Sequence, residues 1–307
     1  MEPSVARCGS GISAAYENKY NACPEGRQMS AALFLDALSV PRVGIYRNLF
    51  RTQSDDETVG AVLWGQAMAA ALQPLICTSE VALRNRIHAS LSRQASVHAS
   101  LQPSKSYPWY DQRLGWKTLE GETLAKVEDL LIKNGMLLTN PPSPDRVVAE
   151  LSLGVWPNIL ESQLTNKQQQ DTFNDVFPDH PNRHRKHWKH SNAREDAIAR
   201  CKDLQRLRNR IAHRGPIWPE NWSHGRPHWT EMLDRLRARR AQLLELLSWI
   251  CAASADIHSQ SLMGRLFDHL CTTDAVMAFM LDPINAGGLQ VFTRVDQTTL
   301  DAHLQRK

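Results

Sequence analysis

The chain has 307 residues, 42% of them hydrophobic and 22% charged, with a formal net charge of +4, a composition that describes a folded globular protein and excludes a disordered or collagen-like one. A charge this small permits an anionic partner without requiring one, so a nucleic-acid role has to rest on local clusters of basic residues. Six cysteines, at 8, 23, 77, 201, 251 and 271, include no C-x-x-C pair; a disulfide framework is therefore not indicated, and reduced thiols in a cytoplasm are expected.

The opening "MEPSVARCGSGIS" lacks the apolar region of a signal peptide, and residues 1–25 read as poorly ordered. Beyond them, 3.6-residue periodicity predicts helices near 28–38, 41–51, 57–72, 74–93, 118–134, 144–153, 155–163, 193–214, 228–255 and 259–280. The longest apolar run, "AVLWGQAMAAALQPLI" (61–76), is short for a membrane span and carries Gln66, Gln73 and Pro74, so it reads as a core helix and no membrane is expected. "LQPSKSYPWYDQRLGW" (101–116) is a proline- and aromatic-rich connection, and "TNPPSP" (139–144) is a second break. The tail "INAGGLQVFTRV" has room for one short strand at 291–295. The expected fold is all-α, with a helical domain over 26–280 and an irregular C-terminal extension over 281–307.

Within the helix near 193–214, Ala197, Cys201, Leu204, Leu207 and Ile211 form one apolar stripe, and Arg208 projects into it. Asn209 and His213 are four apart and share an adjacent face. Gly215-Pro216 closes the helix, since glycine suits a C-terminal cap and proline cannot continue it. A guanidinium at such a place needs an acidic or carbonyl partner. Glu80 lies in the apolar stripe of an earlier helix (Ile76, Leu83, Ile87, Leu91) and can pair either with Arg84, four residues on, or with Arg208 across the core. A purely structural arginine with a helix-capping histidine satisfies the same spacing.

These residues resemble a known family. "RNRIAH" (Arg208, Asn209, His213) is similar to the arginine-polar-x-x-x-histidine signature of the HEPN superfamily of helical ribonucleases. The surroundings resemble its Abi-like (abortive infection) branch: "LWGQAMAAALQPLICTSEVALRNRIHASL" (63–91), "VVAELSLGVWPNIL" (147–160), "VFPDHP" (176–181) and "LRNRIAHRGPIW" (207–218) run in that family's order. The resemblance implies an HEPN-type bundle with extra helices. It also implies metal-independent RNA cleavage, without a cofactor, by a homodimer whose motif helices share a cleft, acting in phage defence as a toxin.

On that reading Arg208, Asn209 and His213 are catalytic, with Glu80, Arg84 and Asn85 supporting them. A histidine, titrating near pH ~6.5, suits acid–base work, and a guanidinium fork suits phosphate oxygens. Arg210 and Arg214 project outward and track the RNA backbone. An antitoxin or other regulatory partner stays open. The chain departs from the family at Gly215, where some members carry a modifiable tyrosine, and at Leu63-Trp64-Gly65-Gln66, where Tyr-x-Trp-Asn is common. "LRNRIH" (83–88) echoes the motif but spaces Arg84 and His88 one residue short, so it reads as structural.

"DHPNRHRKHWKH" (179–190) is the most basic stretch. Arg185, Lys186, Trp188 and Lys189 read either as a phosphate-tracking loop with a stacking aromatic or as a solvated loop. His180, His184, His187 and His190 recur at near-helical spacing, but no cysteine accompanies them, and no metal site is expected. The arginines of "LRARRAQLLELLSWI" (236–250) fall opposite Leu243, Leu246, Leu247 and Ile250, as on a solvated helix back. Trp218 and Trp222 flank the motif and are the tryptophans best placed to stack on a base. A non-catalytic RNA- or protein-binding helical module is the alternative reading of the whole chain.

Overall fold

The computed structural model describes residues 24–116, 119–183, 186–218, 228–284 and 297–305. The chain is all-α. In order, the helices are α1 (Pro24–Asp36), α2 (Val40–Phe50), α3 (Asp55–His98), α4 (Gly121–Leu131), α5 (Pro144–Glu150), α6 (Val155–Ser162), α7 (Asn166–Val176), α8 (Ser191–Ala212), α9 (Trp229–Ile250), α10 (Ala252–Gln260), α11 (Leu262–Leu270), α12 (Thr273–Leu281) and α13 (Gln297–Leu304). A two-stranded hairpin, β1 (Ile132–Lys133) and β2 (Met136–Leu137), and 3-10 turns at Gln112–Leu114 and His187–Lys189 complete the regular structure among the described residues. The strand expected at 291–295 lies outside the described residues, as do residues 1–23.

Several helix bounds differ from the periodicity, each for a local reason. The two helices expected on either side of Pro74 are one helix, α3, with Pro74 inside it. The cost of a mid-helix proline, about 3 kcal/mol, is offset by burial of Leu72, Leu75 and Ile76 around it. The helix expected over 118–134 stops at Leu131, because Asn134 and Gly135 take left-handed conformations (φ 55° and 73°) and turn the chain into the hairpin. The helix expected over 259–280 is divided: the hydroxyl of Ser261 accepts the N–H of Gly264 and starts α11 afresh, and α12 follows separately. Helix α7 has no counterpart in the periodicity. Thr165 and Gln168 form a reciprocal capping box at its start.

The chain divides into two compact units, where the sequence suggested one helical domain and an extension. The first gathers the described residues of Met1–Trp64 and Thr273–Lys307. There Phe50 meets the edge of Trp64 at 5.5 Å, and Gly60 lets the backbones of α3 and α12 touch. A Cβ at Gly60 would collide with the carbonyl oxygen of Phe279. Gly60→Ala should therefore cost about 1–3 kcal/mol, read as a lower urea midpoint; a neutral result would mean that α12 does not hold this approach.

The second unit, Gly65–Thr272, contains the motif. Its core is built from Ile76, Leu83, Ile87 and Leu91 of α3, from Ala197, Cys201, Leu204 and Leu207 of α8, and from Trp109, Trp156, Trp188, Phe173 and Phe177, all at or near full burial. Helix α3 is long and apolar enough to cross a membrane by length and composition, and 61% of its most apolar window is buried within the protein.

Candidate functional site

The apolar stripe read in α8 is real: Ala197, Cys201, Leu204 and Leu207 are fully buried, and the stripe ends at the half-buried Ile211. Arg208 sits at that edge with 37% of its side chain exposed. Its Nε lies 3.3 Å from Oε2 of Glu80, whose side chain is 19% exposed. Of the two partners open to Glu80, the structure selects the one 128 residues away. Arg84 instead donates to the carbonyl oxygen of Ala149 at 3.3 Å and to Oδ1 of Asn85 at 3.4 Å. Arg208 Nη1 donates to Oδ1 of its neighbour Asn209 at 3.3 Å. Its Nη2 makes no hydrogen bond among the described residues, so one edge of the fork is open to an oxyanion. Glu80, Arg208 and Asn209 thus form one hydrogen-bonded set, and Arg84 and Asn85 form another.

The helix end that carries His213 is rigidly built. His213 is the C-cap; its backbone N–H reaches the Asn209 carbonyl at 2.9 Å, and its side chain is exposed. Gly215 N–H then reaches back to Arg210 O at 2.7 Å and Arg214 N–H to Ile211 O at 2.9 Å, a Schellman closure. The left-handed residue is Arg214 (φ 55°) and not Gly215, which corrects the reading of Gly215 as the cap. The motif therefore holds a non-glycine residue in a conformation that costs about 1–2 kcal/mol, directly beside the exposed imidazole.

Arg210 also corrects its expectation. It does not project outward: it is half-buried, and Nη1 donates to Trp218 O at 2.6 Å. Arg239 of α9, read as part of a solvated helix back, donates to Ile217 O at 2.9 Å. Burial first, and then the charge of Arg210, hold the Arg239 guanidinium below the usual arginine range. Arg210 thus ties residue 218 back to α8, and Arg239 ties residue 217 to α9. Arg240 is engaged as well, with Asp268 at 2.8 Å and over the ring of Phe267. Arg239 was missed because a half-turn segment folded over the back of α9 leaves no mark on that helix's own periodicity. Trp218 is 2% exposed and offers no face to a base; Trp222 lies outside the described residues.

The echo motif is structural. His88 is 5% exposed; its Nδ1 accepts the indole N–H of Trp109 at 2.9 Å, and its Nε2 faces Oδ1 of Asp145 at 3.2 Å. Because an indole nitrogen only donates, Nδ1 is the acceptor and the proton sits on Nε2. Burial pushes the His88 imidazole below the usual histidine range, against the opposing pull of Asp145. His180 is lowered by burial and then by the charge of His187. A group whose folded pKa lies below its unfolded value binds fewer protons when folded, so its stabilising contribution is complete above pH ~6.5 and is lost as pH falls through the lowered value. The urea midpoint, followed by tryptophan fluorescence, should drop between pH 7 and about 5.5, where ordinary carboxylates stay ionised. A midpoint flat across that interval would show that neither histidine resists protonation.

The basic stretch is not gathered to the motif. Trp188 is fully buried, with its ring against Phe173, Phe177, His180 and His187, so it cannot stack on a base; the apolar faces of α7 and the following turn claim it. Lys186 and Lys189 are exposed, and Arg185 and His184 lie outside the described residues. This turn precedes α8 and His213 follows it, so the two are about 30 Å apart along a 22-residue helix. No group of three or more His, Cys, Asp or Glu placed to hold a metal ion occurs among the described residues. No protein-family model, curated protein or solved structure matches the chain. The functional reading accordingly stands on the motif and its geometry.

Proposed function

We propose that the protein is an Abi-like endoribonuclease of the HEPN type, cutting RNA without a metal as an effector of abortive-infection phage defence. The observation that carries the reading is the Glu80–Arg208 pair at 3.3 Å with the exposed His213 one turn beyond it. A carboxylate from α3 holds a guanidinium at the rim of the core, with one edge open, beside an imidazole at the helix end. That combination serves transesterification. A ribose 2′-oxygen attacks the adjacent phosphorus as it gives up its proton, and the bond to the 5′-oxygen breaks as that oxygen takes a proton. Arg208 stabilises the charge that grows on the non-bridging oxygens, and His213 supplies one of the two proton transfers. A second copy of the chain, its motif helix across a shared cleft, supplies the other. The Abi-like resemblance supports that pairing and the defence role.

A second reading has its own support. The same Glu80–Arg208 pair joins α3 to α8, as a strut in a non-catalytic RNA- or protein-binding module would. Incubation of the purified chain with RNA in EDTA, with the cut ends mapped, separates them. The nuclease leaves 2′,3′-cyclic phosphate and 5′-hydroxyl ends, whereas the module binds RNA or protein and leaves the strand whole.

A further inference from the structure

The amino end of α8 holds an arrangement that the cleavage reading does not use. Arg194, in the first turn, is only 8% exposed. Its Nη1 donates to the carbonyl oxygens of Trp188 at 2.6 Å and Lys189 at 3.0 Å. Among the described residues its Nε and Nη2 make no hydrogen bond, and no carboxylate pairs with it. A buried guanidinium without a counter-charge is costly, and two carbonyl oxygens offset only part of that. Position adds to the cost, because a cation in the first turn opposes the helix dipole. That turn has no acidic residue, and the N-cap His190 makes no side-chain cap. Asn192 Oδ1 takes the N–H of Ala193; among the described residues no side chain takes those of Ser191 or Asn192.

Ser191 and Arg194 border a cavity of about 430 Å³. Ser191, Arg194, Ile198 and Lys202 form its α8 wall at helical spacing, and Gln169 of α7 and Glu161 of α6 stand opposite. Lys202 is already claimed by Glu161 at 2.5 Å. Gln169 Nε2 donates to Leu160 O at 2.5 Å, which leaves its carbonyl oxygen as an acceptor. Glu195, exposed, is the second carboxylate at the rim. The volume is that of a small-molecule site.

We propose that this cavity binds a single oxyanion of the phosphate class, seated between the Arg194 guanidinium and the amino end of α8. The anion supplies what the buried arginine and the uncapped helix end both lack. Glu195 at the rim repels each further phosphate, and Lys202, held by Glu161, offers it no free cation, so the site selects a lone phosphate or phosphate monoester against a polyphosphate or an RNA backbone. It lies at the end of α8 opposite His213, and it stands or falls independently of the nuclease reading.

The test titrates the full chain with inorganic phosphate, adenosine 5′-monophosphate and adenosine 5′-triphosphate at constant ionic strength, by calorimetry and thermal unfolding. Saturable binding of phosphate or monophosphate is expected, at least about tenfold tighter than triphosphate. Tighter binding of the monophosphate assigns the site to an ester, and tighter binding of inorganic phosphate to the free ion. Ser191→Glu places a carboxylate three residues before Arg194, where an acid also suits the helix dipole. It should raise the melting temperature without ligand and weaken phosphate binding by about tenfold or more. Arg194→Met should abolish binding, and if it fails to fold, Ser191→Glu still decides. The proposal is overturned if neither single-phosphate probe binds saturably, if triphosphate binds more tightly, or if Ser191→Glu binds phosphate as the parent does.

Discussion

His213→Ala should lower RNA cleavage in EDTA by about two to four orders of magnitude, the range expected for removing an acid–base group, while leaving the fold intact. The side chain is exposed and lies beyond the last turn of α8. The structure that positions it rests on backbone bonds from Gly215 and Arg214 and on the Arg210 and Arg239 contacts with residues 217 and 218. Helical circular dichroism and the thermal midpoint should therefore match the parent's, and RNA binding should persist. Arg208→Lys is the informative companion. It keeps the charge facing Glu80 but loses the planar fork, so turnover should fall with little loss of stability. A His213→Ala protein that cuts RNA as fast as the parent would remove the chemical basis of the reading. One that unfolds would favour the strut.

Trp188→Ala should destabilise the second unit by about 3–5 kcal/mol, the largest stability effect expected of any residue in the basic stretch. The ring is fully buried within 5.2–5.6 Å of Phe173 and Phe177 and 4.6–4.9 Å of His187 and His180, so its removal opens a cavity that the cluster cannot fill without moving α7. The indole N–H has no acceptor among the described residues. Trp188→Phe, which keeps most of the ring and discards that buried donor, should accordingly be far milder. Urea unfolding of both variants checks this. Were Trp188→Ala to retain stability and lose RNA binding instead, the tryptophan would be an RNA contact after all.

Two of the differences between the expected and observed helices have contrasting origins. The hairpin after α4 was legible, since Asn134-Gly135 is a strong short-range turn signal, but the helical period of "LAKVEDLL" runs directly up to it and masks the boundary. Helix α7 was nearly silent. "NKQQQDTFNDV" shows Phe173 and Val176 as its only apolar side chains, and its one clear mark is the Thr165–Gln168 capping pattern. Its place is decided by what it covers, the rings of Trp188 and Phe177 and the carbonyl of Leu160.

By itself, the sequence determined the features that depend on neighbours within a few residues: an all-α chain, the buried stripe of α8, Arg208 at its edge, and an imidazole at the helix end. Those follow from a period of 3.6 and from capping, which act over a turn or two. Tertiary structure alone decided which of two arginines Glu80 would hold, that Arg210 and Arg239 would bind back to the chain after the motif, and that Trp188 would be core. Each of these is a choice among partners separated by tens of residues in sequence. Burial settles it, because a charge or a ring leaving water must meet whatever complementary group the packed helices bring alongside.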